Sequence, residues 1–220
     1  MAKLTQQQID ANKIEFINLL RSTKRENIEN LILWLDTKSD FFTAPSSSKY
    51  HGCVEGGLCQ HCLNVYRAAQ AELENIKKLG KVDINISSIS EDNLIIATLL
   101  HDLCKVNYYK KAIKVFKDDA TNTWHHYYSY EVEDNFPIGH GEKSVIMLQN
   151  FIKLAWNEIL AIRWHMSAHD SGIATSSTER IAMYDSMTKC PLVIILQNAD
   201  LFATYMMEET TDPKKENLID

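Results

Sequence analysis

The sequence predicts an all-α fold carrying one small β-hairpin between its fourth and fifth helices. Glycine and proline are sparse, seven and four among 220 residues, which argues against a sandwich or barrel built on many tight turns. Apolar residues recur at helical spacing over most of the chain. One stretch, 112–130, departs from that period, with aromatic and β-branched residues flanking a polar turn. A hydrophobic content of 45% over this length is ample for one core. Residues 1–220 are therefore expected to form a single domain. Residues 1–36 would pack on a core spanning 50–208, and the charged tail 209–220 would fray.

Taken in order, residues 4–22 and 24–36 read as amphipathic helices. Ile9, Phe16, Ile17 and Leu20 share one face, and Ile28, Leu31, Ile32 and Leu35 another. The segment Asp40–Gly57 is long for a structureless connection, which marks it as functional or disordered. Phe41, Phe42, Tyr50 and His51 favour order. A helix over 58–79 carries Leu63, Tyr66, Ala69 and Leu73 along one face. Ser88 and Glu91 have the spacing of a capping box. The helix they would open runs through His101 and Asp102 and ends near Val106. The hairpin follows, its strands 112–117 and 124–130 joined by the polar turn 118–123. Gly139, His140 and Gly141 lead into a helix with Val145, Met147, Leu148, Phe151 and Ile152. Further helices are expected at 156–166, 178–189 and 191–208, with Pro191 suited to the first turn of the last.

The formal charge of -6 provides no basic field for a long nucleic acid. A small anion remains admissible if metals neutralise it locally. The five cysteines, Cys53, Cys59, Cys62, Cys104 and Cys190, are odd in number and scattered, a poor disulfide framework. No signal-peptide core opens the chain, and no apolar run reaches membrane-spanning length. These features lead us to expect a cytoplasmic protein of the reducing cytosol, with no membrane partner.

The most informative residues are His101 and Asp102, at the end of the apolar run that begins at Asn93. Burying an unpaired carboxylate is very costly, and metal coordination is one way to offset it. His and Asp together suit a hard or borderline divalent ion. His61, His140, His165 and Asp200 also sit in or beside apolar helical stretches. Taken singly, each has an ordinary structural explanation. Five of the seven glycines (Gly52, Gly56, Gly57, Gly139 and Gly141) lie within ten residues of His61 or His140. Glycine permits close backbone approach to a ligand.

The ordered set His61, His101-Asp102, His140, His165 and Asp200 resembles the HD-domain metal-dependent phosphohydrolase superfamily. The resemblance covers roughly residues 50–208. The dipeptide alone is weak, since His169-Asp170 is a second copy; the order of the whole set carries the likeness. It implies a helical bundle in which His61, His101, Asp102 and Asp200 hold a first metal. Asp102 would bridge to a second metal, also held by His140 and His165. A carboxylate has two oxygens and can span two ions, whereas a neutral imidazole offers one lone pair. One or two divalent ions (Mn, Fe, Zn, Co or Ni) are the implied cofactors. Two such ions about 3.5–4 Å apart clamp the attacking and leaving oxygens of phosphoryl transfer and make a shared water acidic.

The same resemblance gives Asp102 and Lys105 catalytic roles, with Lys105 also meeting a substrate phosphate. The loop carrying Lys49 and His51 becomes a substrate wall. His169 and Asp170 are further candidates for the second metal. The expected activity is hydrolysis of a phosphomonoester or phosphodiester, with a nucleotide or short oligonucleotide as substrate. A 3′–5′ exoribonuclease and a non-catalytic metal- or nucleotide-binding sensor are the alternatives. The pair Cys59 and Cys62 lacks the four ligands of a structural zinc site. The lysines and aromatics of 105–117 read as a guarded hairpin edge or as a stacking surface for bases. Oligomeric state is left open by the sequence.

Overall fold

The computed structural model describes residues 4–79, 89–167, 176–209, 212, 214 and 217–219. Among these are eight α-helices and one two-stranded antiparallel sheet. The helices are α1 (Gln6–Ser22), α2 (Ile28–Thr37), α3 (Gly57–Leu79), α4 (Glu91–Leu100), α5 (His140–Gln149), α6 (Trp156–Trp164), α7 (Ser177–Lys189) and α8 (Pro191–Phe202). Strands β1 (Tyr109–Asp118) and β2 (Thr123–Val132) lie between α4 and α5. The expected fold class is thus the observed one.

Helix α4 is the hub. Leu94 through Leu100 are all buried, and a helix apolar all round belongs inside a core. Helix α3 packs on α4 and α8, and α6 packs on α4, α5 and α8. The predicted face of α3 is buried as expected, with Leu63, Tyr66, Ala69 and Leu73 in the core. Gly141 shows why α5 can lie so close to α6: a Cβ there would sit 2.2 Å from the Arg163 carbonyl oxygen.

The N-terminal helices are tied to this bundle. Phe16 meets Phe41 with ring centroids 4.8 Å apart, and Phe41 meets Phe42 at 5.3 Å. The long loop is thereby fastened to α1. Farther along, Arg25 pairs with the buried Glu158 at the start of α6. The same carboxylate accepts from Asn93 Nδ2 at 2.8 Å and from the Ala155 N–H at 2.7 Å.

Several expected boundaries are corrected. Helix α2 starts at Ile28 and not 24, because Lys24 and Asn27 take left-handed backbone (φ 51° and 63°). The box that opens α4 is Ser90 with Asn93, whose side chains answer each other's backbone N–H groups; Ser88 lies outside the described residues. Helix α4 stops at Leu100, and a 3-10 turn, Leu103–Lys105, replaces the expected last turn. The helix expected over 191–208 is α-helical only to Phe202 and continues as a π-helical segment, Ala203–Met207. The tail is not wholly frayed. Tyr128 donates its N–H to Asn217 O at 3.0 Å, and Ile219 donates to His126 O at 3.0 Å. No single helix among the described residues is long and apolar enough to cross a membrane.

Candidate metal centre

The centre forms where helix ends meet. His101 and Asp102 follow the last residue of α4, and His165 follows the last residue of α6. His61 lies in the second turn of α3, and Asp200 in the last turns of α8. His61, His101, Asp102 and His165 are buried, and Asp200 is partly buried.

Helix-end carbonyls set the tautomers. His101 Nδ1 lies 2.8 Å from Thr98 O, and His165 Nδ1 lies 2.7 Å from Ile162 O. Each acceptor is a carbonyl of a final helical turn, otherwise an orphan. A carbonyl only accepts, so both rings carry a proton on Nδ1 and turn Nε2 inward. Those two Nε2 atoms and Asp102 Oδ1 are buried with no hydrogen-bond partner in the protein. His101 Nε2 faces Asp102 Oδ2 at 3.4 Å, and His165 Nε2 faces Oδ1 at 3.6 Å. Lone pairs pointed at a carboxylate in a dry pocket require a cation between them. The negative ends of α4 and α6 favour that cation as well.

His61 completes the wall. Its Nε2 lies 3.2 Å from Asp200 Oδ1 and 3.7 Å from Asp102 Oδ2. Ligand atoms of His61, His101 and Asp200 fall within 4.8 Å of one another, and so do those of His101, Asp102 and His165. His101 is the residue the two triads share, and Asp102, in the second, faces the first through His61 Nε2 at 3.7 Å.

The charges answer each other. Burial works against an imidazolium at His61, yet Glu208 and Asp200 outweigh it and hold its pKa up at about 10. Burial opposes ionisation of Asp102 too, but Lys105 and His101 hold it well below the usual carboxylate range. Asp200 is likewise depressed against its burial, chiefly by His61.

Other expected residues fall around this set. Lys105, expected at a substrate phosphate, lies with Nζ 2.6 Å from Asp102 Oδ2. Burial disfavours its charge, but Asp102 more than compensates and raises its pKa. His140 stands apart from both triads, with Nδ1 3.3 Å from Cys104 Sγ and the ring beside Tyr108. His51 comes within 5.0 Å of His61 between ring centroids, and its buried Nε2 has no hydrogen-bond partner. Burial, with the charges of His61 and Lys105, brings the His51 pKa down to about 4, so it is neutral near pH 7. Lys49, in the same loop, is exposed. His169 and Asp170 lie outside the described residues. The glycines beside the histidines make their close approaches to the chain itself. A Cβ on Gly52 would meet Ser46 Oγ at 2.2 Å, and one on Gly57 would meet Gly52 O at 2.1 Å. All five cysteines are buried and outside any disulfide.

Sequence reasoning missed Glu208, whose Oε1 lies 3.1 Å from His61 Nδ1. Only its place at the end of an otherwise apolar helix hinted at it.

The family model for the HD domain matches residues 58–205. The chain belongs to the HD domain family. HD proteins bind divalent metals and are generally metal-dependent phosphohydrolases, and the orphaned inward-facing donors found here fit such an ion. No curated protein and no solved structure matches the chain. His61, His101, Asp102, His140, His165 and Asp200 all lie inside the matched HD segment. His51 and Glu208 lie just outside it, on either side.

Proposed function

We propose that this HD protein hydrolyses a phosphomonoester or phosphodiester of a nucleotide or short oligonucleotide. The observation that carries the reading is the inward-facing set of His101 Nε2, His165 Nε2 and Asp102 Oδ1, buried and unpartnered. His61, His101, Asp102 and Asp200 would hold a first divalent ion. His165 with Asp102 would hold a second, which His140 joins only if its ring leaves Cys104. When bound, the metal supplies positive charge that acidifies water and polarises a phosphoryl oxygen.

The protein's own groups do the rest. Thr98 and Ile162 hold two imidazoles in the tautomer that leaves Nε2 bare. Lys105 keeps Asp102 ionised and retains two ammonium donors beyond its bond to Asp102. One of them meets a phosphate oxygen as a point charge. Neutral His51 and the exposed Lys49 form the wall against which the substrate rests. A net charge of -6 supports a small substrate over a long nucleic acid.

The test combines elemental analysis of the purified protein with a hydrolysis screen of a bis-aryl phosphate, nucleotides, cyclic nucleotides and short oligonucleotides. Bound metal with turnover of a small phosphoester is the expected result. Binding of nucleotides without turnover would identify a sensor. Salt-sensitive trimming of single-stranded RNA from its 3′ end would identify an exoribonuclease. Lys105→Ala is expected to lower kcat by about 10²-fold with metal content unchanged, the scale for loss of one charge-stabilising donor. Turnover equal to wild type would remove the role.

A further inference from the structure

We propose that Glu208 is a positioning residue for the metal ligand His61, fixing its ring through Nδ1 so that Nε2 faces the centre. The inference rests on the metal reading above.

Glu208 is buried. Both of its oxygens lie near His61 Nδ1, Oε1 at 3.1 Å and Oε2 at 3.3 Å. A carboxylate only accepts, so Nδ1 carries the proton and Nε2 keeps its lone pair for the metal. His51, His61 and Glu208 also lie close enough together to suggest a separate cation site. A neutral imidazole has one lone pair; with Nδ1–H given to Glu208 that lone pair is on Nε2, 3.2 Å from Asp200 Oδ1, where it could serve one cation on the centre's side only. Serving cations on both nitrogens would require an imidazolate. Glu208 is therefore the hydrogen-bond acceptor of a carboxylate–histidine–metal triad, an arrangement that orients the ring and raises its basicity.

The two other histidines of the centre are fixed by carbonyls of their own helices. His61 sits near the beginning of α3 rather than its end, so no orphan helix-end carbonyl is at hand. The chain meets this need from a distance of 147 positions. The π-helical segment after α8 ends in extended backbone at Glu208 (φ −120°, ψ 136°). That break from α geometry turns the carboxylate back over α3, a use to which π segments at functional sites are put.

Glu208 is itself held. Asn64 Nδ2 donates to its Oε1 at 3.0 Å. Asn64 Oδ1 in turn accepts from Gln60 Nε2 at 2.9 Å and from Arg67 at 3.2 Å. Asn12 donates to Gln60 Oε1 at 2.9 Å, and Glu15 pairs with Arg67 at 2.7 Å. Asn12 and Glu15 belong to α1, so a helix outside the matched HD segment reaches a metal ligand through three side chains.

The test measures zinc affinity by chelator competition for wild type, Glu208→Gln and Glu208→Ala. Histidine nitrogen spectra are recorded on the zinc-loaded forms. Glu208→Ala is expected to weaken zinc binding about 10- to 100-fold, the usual effect of losing such a partner. The slowly exchanging Nδ1–H signal of His61 should vanish with it. Glu208→Gln keeps the shape and an acceptor oxygen, so it should retain that signal and bind zinc between the other two. If Glu208→Ala does not fold, Glu208→Gln decides alone, and affinity equal to wild type overturns the role. Unchanged affinity in a folded Glu208→Ala also overturns it while leaving the metal reading intact. Failure of wild type to bind zinc or any other divalent ion overturns the metal reading and this role together.

Discussion

Asp102→Ala is expected to abolish hydrolysis and bound metal together, with turnover falling by at least about 10³-fold. Metal-ion charge stabilisation of a phosphoryl transition state contributes several kcal/mol, and each ~1.4 kcal/mol is tenfold in rate. Asp102 carries that load because its carboxylate faces the Nε2 atoms of three histidines, at 3.7, 3.4 and 3.6 Å. The same change leaves the partly buried Lys105 ammonium without its counter-ion, so metal content is to be read alongside a thermal melt. Activity that survives in a folded, metal-poor variant would refute the centre.

Arg25→Ala is expected to destabilise the fold by about 3 kcal/mol, the lower end of the cost of breaking a buried ion pair. Glu158 is fully buried while Arg25 keeps some exposure. Asn93 and the Ala155 N–H still bond the carboxylate after the change, which keeps the loss from being larger. The Arg25 bond to Lys153 O at 3.2 Å is lost as well. Denaturant midpoints report the difference, and adding Glu158→Gln should recover part of it by removing the stranded charge. A loss below about 1 kcal/mol, typical of a surface pair, would show that Arg25 does not join the N-terminal helices to the core.

What the sequence revealed follows the range of each physical signal. Periodicity is local, so α3 and α4 could be placed from Leu63, Tyr66, Leu73 and the run ending at Leu100. The hairpin was legible for the same reason, its aromatic strands flanking a polar turn. Helix ends are less legible, because they depend on single backbone angles. The left-handed Lys24 and Asn27 shorten α2, and Asp102 (φ −99°, ψ 20°) starts a tighter turn. Ligands inside apolar helices announced themselves, since an ionisable group there demands a reason; His101, Asp102 and Asp200 are of this kind. Glu208 did not, for its neighbours in sequence give no sign that a π segment will bend it onto His61. His140 shows the converse, since its place in the ordered set was legible but its present contact with Cys104 was not.

The direction of helices α4 and α6 has a kinetic consequence. Both aim the electronegative ends of their backbones at the spot where Asp102 and Asp200 face His61 Nε2. On the proposed function, a phosphate would approach these carboxylates while Lys105 is engaged by Asp102. A divalent ion held there would offset that charge, so on the proposed function metal is expected to bind ahead of the phosphate.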